Sequence, residues 1–211
     1  MKDNNSKQVL LSVLGVAILV VAVVGVSFAA FSYTDTGTQV NTITTGSITM
    51  SYTEDTNGIN LTDALPMSDT EGKALTGEDN VFDFTVTASV TGNATIKYAI
   101  IAAPEDSNNN NTFITDSTVK VYLTDTDDTA TGNTSDSPAV LNTLPASNTV
   151  SATTGAPNTA DDYVLANGTY SGASNSDSYR LRMWIDGSAT APTTSETYKL
   201  RVRVYGQADA Q

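Results

Sequence analysis

The chain has 211 residues, no cysteine, no histidine, and ten basic against 23 acidic residues, for a net charge of −13. Without histidine it lacks the commonest general base, the commonest zinc ligand and the usual triad partner, and without cysteine it holds no disulfide. Its surplus of negative charge repels nucleic acid and anionic membrane as a whole, so no specific nucleic-acid binding is expected.

Val9 to Phe31 form an almost unbroken apolar run, preceded by Lys2 and Lys7 and closing on Ser27-Phe28-Ala29-Ala30-Phe31. A positive start, an apolar middle and a small-x-small close make a secretory signal peptide. Ser27 and Ala29 suit the two pockets of a signal peptidase. The cut is expected after Ala29, with Ala30 as the mature start; a cut one residue later would put Phe28 in the first pocket. The alternative is an uncleaved anchor, because the run is long enough for a bilayer, which takes about 20 residues. In either case Lys2 and Lys7 hold the start inside and the rest is exported. Contact with the membrane is then through an uncleaved leader only.

Beyond the leader, apolar and polar residues alternate, as in half-buried strands. Ile48, Met50 and Tyr52 alternate with Thr49 and Ser51. Phe82 to Val90 and Ile96 to Ile100 flank Gly92-Asn93 and are expected to form a β-hairpin. Val119 to Leu123, Tyr179 to Ile185 and Tyr198 to Val204 follow, with shorter candidates at Ile59-Leu61 and Tyr163-Leu165. No amphipathic helix is expected. Three polar stretches, Glu105 to Asn111, Asp125 to Pro138 and Ser147 to Asp162, are expected to be loops too polar to pack inside. The pattern predicts an all-β domain: an antiparallel jelly roll or β-sandwich of about seven or eight strands.

Several short motifs occur in the order of a known family. Ala29-Ala30-Phe31-Ser32 resembles the leader end and mature start of the TasA/camelysin proteins. Thr45-Gly46-Ser47-Ile48-Thr49-Met50 is similar to their "SGTLDL"-like strand. Ile59-Asn60-Leu61 with Leu65-Pro66 is similar to their "VNLSNLKPGD" segment. Val81 to Val90 followed by Gly92-Asn93 is similar to their strand and "NNGSL" turn. The likeness covers roughly the first hundred residues. The Met67 to Asn80 linker departs from it, carrying Asp69, Glu71, Glu78 and Asp79 where the family has a Pro-Gly-Asp turn.

The resemblance implies a secreted jelly-roll subunit of extracellular-matrix or cell-surface fibres. Its partners would be other copies of itself, with other matrix components possible. Assembly would be by donor-strand complementation, in which the mature N-terminus of one subunit completes the sheet of the next. The division would be a signal peptide at 1–29, a donor segment at 30–45 and a jelly-roll domain at 46–211. Phe31 and Tyr33, two apart, would point to one face of the donor. The competing reading of these aromatics is a first strand packed within its own chain. The rival for the whole protein is a monomeric cell-surface adhesion or glycan-binding β-sandwich.

Camelysin-type relatives have been called metalloproteases, but catalytic zinc needs three protein ligands and H-E-x-x-H is absent, so no enzyme, cofactor or catalytic metal is expected. Asp125, Asp127 and Asp128 offer oxygen ligands of the kind calcium takes, without the Gly and distal Glu of an EF-hand; a solvated acidic loop is expected, with a calcium site as the alternative. Arg180, Arg182, Lys199, Arg201 and Arg203 alternate with apolar residues in two late strands, and Trp184 and Tyr205 keep the same phase. One reading is a solvated outer face that discourages edge-to-edge aggregation. The other is a contact patch for an acidic neighbour subunit, polysaccharide or extracellular DNA.

Overall fold

A computed structural model describes residues 32–209 except 36–41, 46–47, 55–57, 60, 63, 78–79, 91–93, 106–112, 127–136, 192 and 194. The expected leader, Ala29, Ala30, Phe31, Gly92-Asn93, Asp127 and Asp128 lie outside the described residues. Residues 32–211 form one compact unit. The fold is all-β, and its strands are antiparallel apart from one two-residue pair.

Two sheets carry the fold. The first has the order β1 (Ser32–Asp35), β13 (Leu200–Asp209), β7 (Thr95–Pro104), β10 (Tyr163–Ser171). The second runs β2 (Thr42–Thr45), β3 (Ile48–Glu54), β6 (Val81–Val90), β11 (Asn175–Asp186), β8 (Val119–Asp125), β9 (Ala139–Val140), and β5 (Pro66–Met67) pairs parallel with the end of β11. β4 (Leu61–Thr62) pairs with β12 (Thr197–Tyr198). The described residues thus hold thirteen strands rather than seven or eight, four of them only two residues long. Two-residue strands are too short to show alternation.

The sheets face each other across an aromatic core. Tyr98 of β7 and Tyr179 of β11 share a hydrogen bond of 3.1 Å between their hydroxyls. Tyr98 stacks on Tyr170 at 4.3 Å between centroids, and Tyr179 stacks on Phe84 at 5.3 Å. Burial pushes the Tyr170 and Tyr179 hydroxyls far above the ordinary phenol range, because a phenolate cannot be solvated there.

The expected hairpin of Phe82–Val90 with Ile96–Ile100 does not form. β6 pairs with β3 and β11, while β7 pairs with β13 and β10 in the other sheet. The chain crosses between the sheets there, so two alternating runs that are neighbours in sequence face each other through the core.

The Ser147 to Asp162 stretch does not stay out of the packing. It carries a short helix, Ser151–Thr154, and Ala156 and Val150 pack with Ala99, Ile101, Val164 and Tyr205 on the outer side of the first sheet. Its polar residues are satisfied locally. Buried Ser147 donates its hydroxyl to the Pro157 and Thr159 carbonyls, and buried Thr154 donates to Val150. A polar segment can be buried when its own backbone accepts its side chains.

The Met67 to Asn80 linker holds a helix, Asp69–Lys73. Its capping box is complete: Ser68 accepts from the Glu71 N–H, and the Glu71 carboxylate accepts from the Ser68 N–H at 2.9 Å. This S-x-x-E pattern was legible in the sequence. The helix lies over Trp184 through Gly72, where there is no side chain to hold it off the ring.

Candidate functional site

The expected donor segment provides two edge strands. In Ser32-Tyr33-Thr34-Asp35, Tyr33 and Thr34 favour extended backbone. The segment pairs along β13 with Ser32 opposite Gln207, Tyr33 opposite Gly206, Thr34 opposite Tyr205 and Asp35 opposite Val204. Thr42–Thr45 pairs with Ile48–Ser51 at the edge of the other sheet, across a two-residue connection.

β13 and β3 face one another where these strands dock. A Cβ on Gly206 would meet the Met50 Sδ, and would lie 3.2 Å from the Ile96 Cγ2. The absent side chain therefore lets the core close tightly behind β1. β1 and β2 consequently border the two sheets on the same side. Among the described residues, four of the ten residues of β13 are paired with β1.

The seven residues read as one basic face divide between the two sheets. Arg180, Arg182 and Trp184 lie on β11; Arg201, Arg203 and Tyr205 lie on β13, and Lys199 just before it. Strand phase is common to both, but it does not reveal which sheet a strand joins. Trp184 and Tyr205 are buried, under the Asp69–Lys73 helix and the 147–162 segment respectively.

The arginines are engaged within their own chain. Arg180 makes a two-pronged pair with Asp83, at 2.7 and 2.5 Å. Arg182 donates to the Leu75 carbonyl at 2.8 Å and to Thr124 at 3.1 Å. Burial, and then the Arg180 charge, lower its proton affinity. Arg201 pairs with Glu105, and Arg203 lies 3.7 Å from Asp162. Burial raises the Asp162 carboxyl despite that arginine.

Two polar clusters escaped the sequence reading because their members are far apart in the chain. Lys120 bridges Asp69 and Asp186, each at 2.8 Å, fastening the helix to β8 and β11. The ammonium, together with the Ser188 hydroxyl and N–H, holds the Asp186 carboxyl down at about 2. Asp116 accepts from Tyr163 at 2.9 Å and from Tyr198 at 2.5 Å. Burial, then the bond to Asp116, pushes the Tyr163 phenol up to about 12. These clusters fasten loops to sheets.

No family model, curated protein or solved structure matches the chain.

Proposed function

We propose that this chain is a secreted structural subunit of jelly-roll type that polymerises into extracellular or cell-surface fibres by exchanging its N-terminal strand between copies. The observation that carries this reading is the place of Ser32–Asp35: a four-residue strand at the start of the folded unit, seated on the edge of its most C-terminal strand. Backbone pairs of this kind are indifferent to which copy supplies the strand, so the same register is available between neighbours. Supporting the jelly-roll reading, the chain passes from one sheet to the other between β1 and β2, β6 and β7, β7 and β8, β9 and β10, β10 and β11, and again between β11 and β13. The proposal includes export and removal of the leader after Ala29, with no enzymatic activity.

The absence of cysteine allows a direct test. Ser32 and Gln207 are register partners, and their Cα spacing in an antiparallel pair, about 4.5–5.5 Å, suits a disulfide. The double substitution Ser32→Cys, Gln207→Cys should give a reduction-sensitive ladder of multimers on non-reducing gels of fibre material. Deleting residues 30–40 should leave folded subunits that do not form fibres under negative stain. A cross-link formed only within single chains, or normal fibres from the deletion, would overturn the proposal.

A further inference from the structure

The outer side of the second sheet is covered unevenly. The Asp69–Lys73 helix lies over the Trp184 end of β11. At the other end is an open cleft of about 330 Å³, whose lining includes Thr53, Thr85, Thr126, Ser178, Asp83 and Arg180. This volume is at the small end of ligand sites, which run about 300–1,000 Å³.

The lining chemistry is specific. Thr85 and Ser178 share a hydrogen bond of 3.1 Å, and Thr126 donates to the Ser178 carbonyl at 3.0 Å. A hydroxyl has one donor and two acceptor sites, so engaged hydroxyls still accept further bonds. Beside them the Asp83 carboxylate and Arg180 guanidinium lie side by side, one an acceptor only and the other a donor only. Glu54 also lines the cleft, so its formal charge is one negative: two carboxylates against one guanidinium.

A phosphate, sulfate or uronate ligand would meet that charge and the −13 of the chain. A ligand whose own groups are neutral hydroxyls, each donor and acceptor, matches the hydroxyl, carboxylate and guanidinium groups of the lining, which also includes Phe84 and Tyr179. The cleft is open rather than enclosed, and the same face continues beyond it through the cross-strand row Ser51, Thr87 and Ser176. A ligand longer than one ring could therefore lie along it. We propose that this cleft binds a segment of a neutral polysaccharide chain. The inference goes beyond fibre formation and holds equally for a single subunit.

The test uses affinity electrophoresis of the full chain through gels containing dextran, mannan or galactan, with polygalacturonate and DNA as anionic arms. Retention by at least one neutral polymer is expected, with none by the anionic ones. Thr53→Tyr, at an exposed position, fills the cleft without touching the core. The pair Thr85→Val, Ser178→Ala removes hydroxyls and leaves the Asp83–Arg180 pair intact. Each variant should weaken retention about tenfold, the scale of one or two lost hydrogen bonds. Oligomers of the retaining polymer should compete, and the free monosaccharide at equal sugar concentration should not. No retention by any neutral polymer, retention unchanged in Thr53→Tyr, retention by the anionic polymers instead, or equal competition by the free sugar would overturn the proposal.

Discussion

Gly72 is the position where one added carbon should do most harm. A Cβ built there would lie 2.7 Å from the Trp184 Cε3 and nearer still to two other ring carbons. Real Cβ contacts essentially never fall below 3.0 Å, so something must move. The indole is fully buried and rigid, so the helix must lift instead. Lifting strains the Asp69–Lys120 ion pair and the contact of Lys73 over the Tyr122 ring. Overpacking of this kind costs about 1–3 kcal/mol. Alanine recovers about 1 kcal/mol in helix propensity over glycine. Gly72→Ala should therefore destabilise by up to about 2 kcal/mol, lowering the melting temperature by about 2–4 °C for each kcal/mol lost in a domain of this size. Gly72→Val adds bulk with less recovery and should cost about 3 kcal/mol or more. Trp184 is the single tryptophan of the chain, so its fluorescence reports the contact directly. Both variants should shift its emission to the red and open it to acrylamide quenching. Gly58→Ala is the control, since nothing among the described residues lies within 4 Å of the added carbon. A Gly72→Val protein with unchanged melting temperature and emission would refute the packing of the helix on Trp184.

Two further outcomes follow from the charges. The Asp186 carboxyl, held at about 2 by Lys120 and Ser188 against an ordinary 3.8, contributes stability that is present above about pH 4 and lost as pH falls through about 2. Allowing for solvent screening, about 1 kcal/mol should disappear across that window in the wild type and not in Asp186→Asn; identical pH slopes in urea unfolding would count against it. Residues 32–211 carry eight basic residues (ten less Lys2 and Lys7) and 22 acidic ones (23 less Asp3), a charge of −14. Screening of that self-repulsion should outweigh the weakening of the few ion pairs, so the melting temperature should rise from 50 mM to 1 M sodium chloride, about a fourfold shortening of the screening length. A fall on calorimetry would show that the ion pairs dominate.

Much of the strand content was legible because alternation is a local property. Met50 and Tyr52, the run from Phe84 to Val90, and Tyr179 to Ile185 turn the side chains inward that their spacing indicates. The Ser68–Glu71 capping box was equally local, yet a helix of five residues is too short to show an amphipathic face. The polarity of Ser147 to Asp162 was misleading because polarity only predicts exposure when hydroxyls have no backbone carbonyl within reach. Thr154 finds such a carbonyl four residues away, and Ser147 finds them ten and twelve residues away within the same stretch.

The composition, the leader pattern and the phase of each long strand belong to the sequence by itself. Sheet membership belongs to the tertiary structure. Arg180 and Arg201 have the same phase but lie on different sheets, and β6 and β7 adjoin in sequence but not in hydrogen bonding. The placement of Ser32–Asp35 on Val204–Gln207 joins the two ends of the unit. Alternation records which side chains turn to the core, whereas the choice of partner strand depends on backbone groups that are alike in every residue. That choice is made only when the core closes around Tyr98, Tyr179 and Met50 and leaves one free edge for each remaining strand.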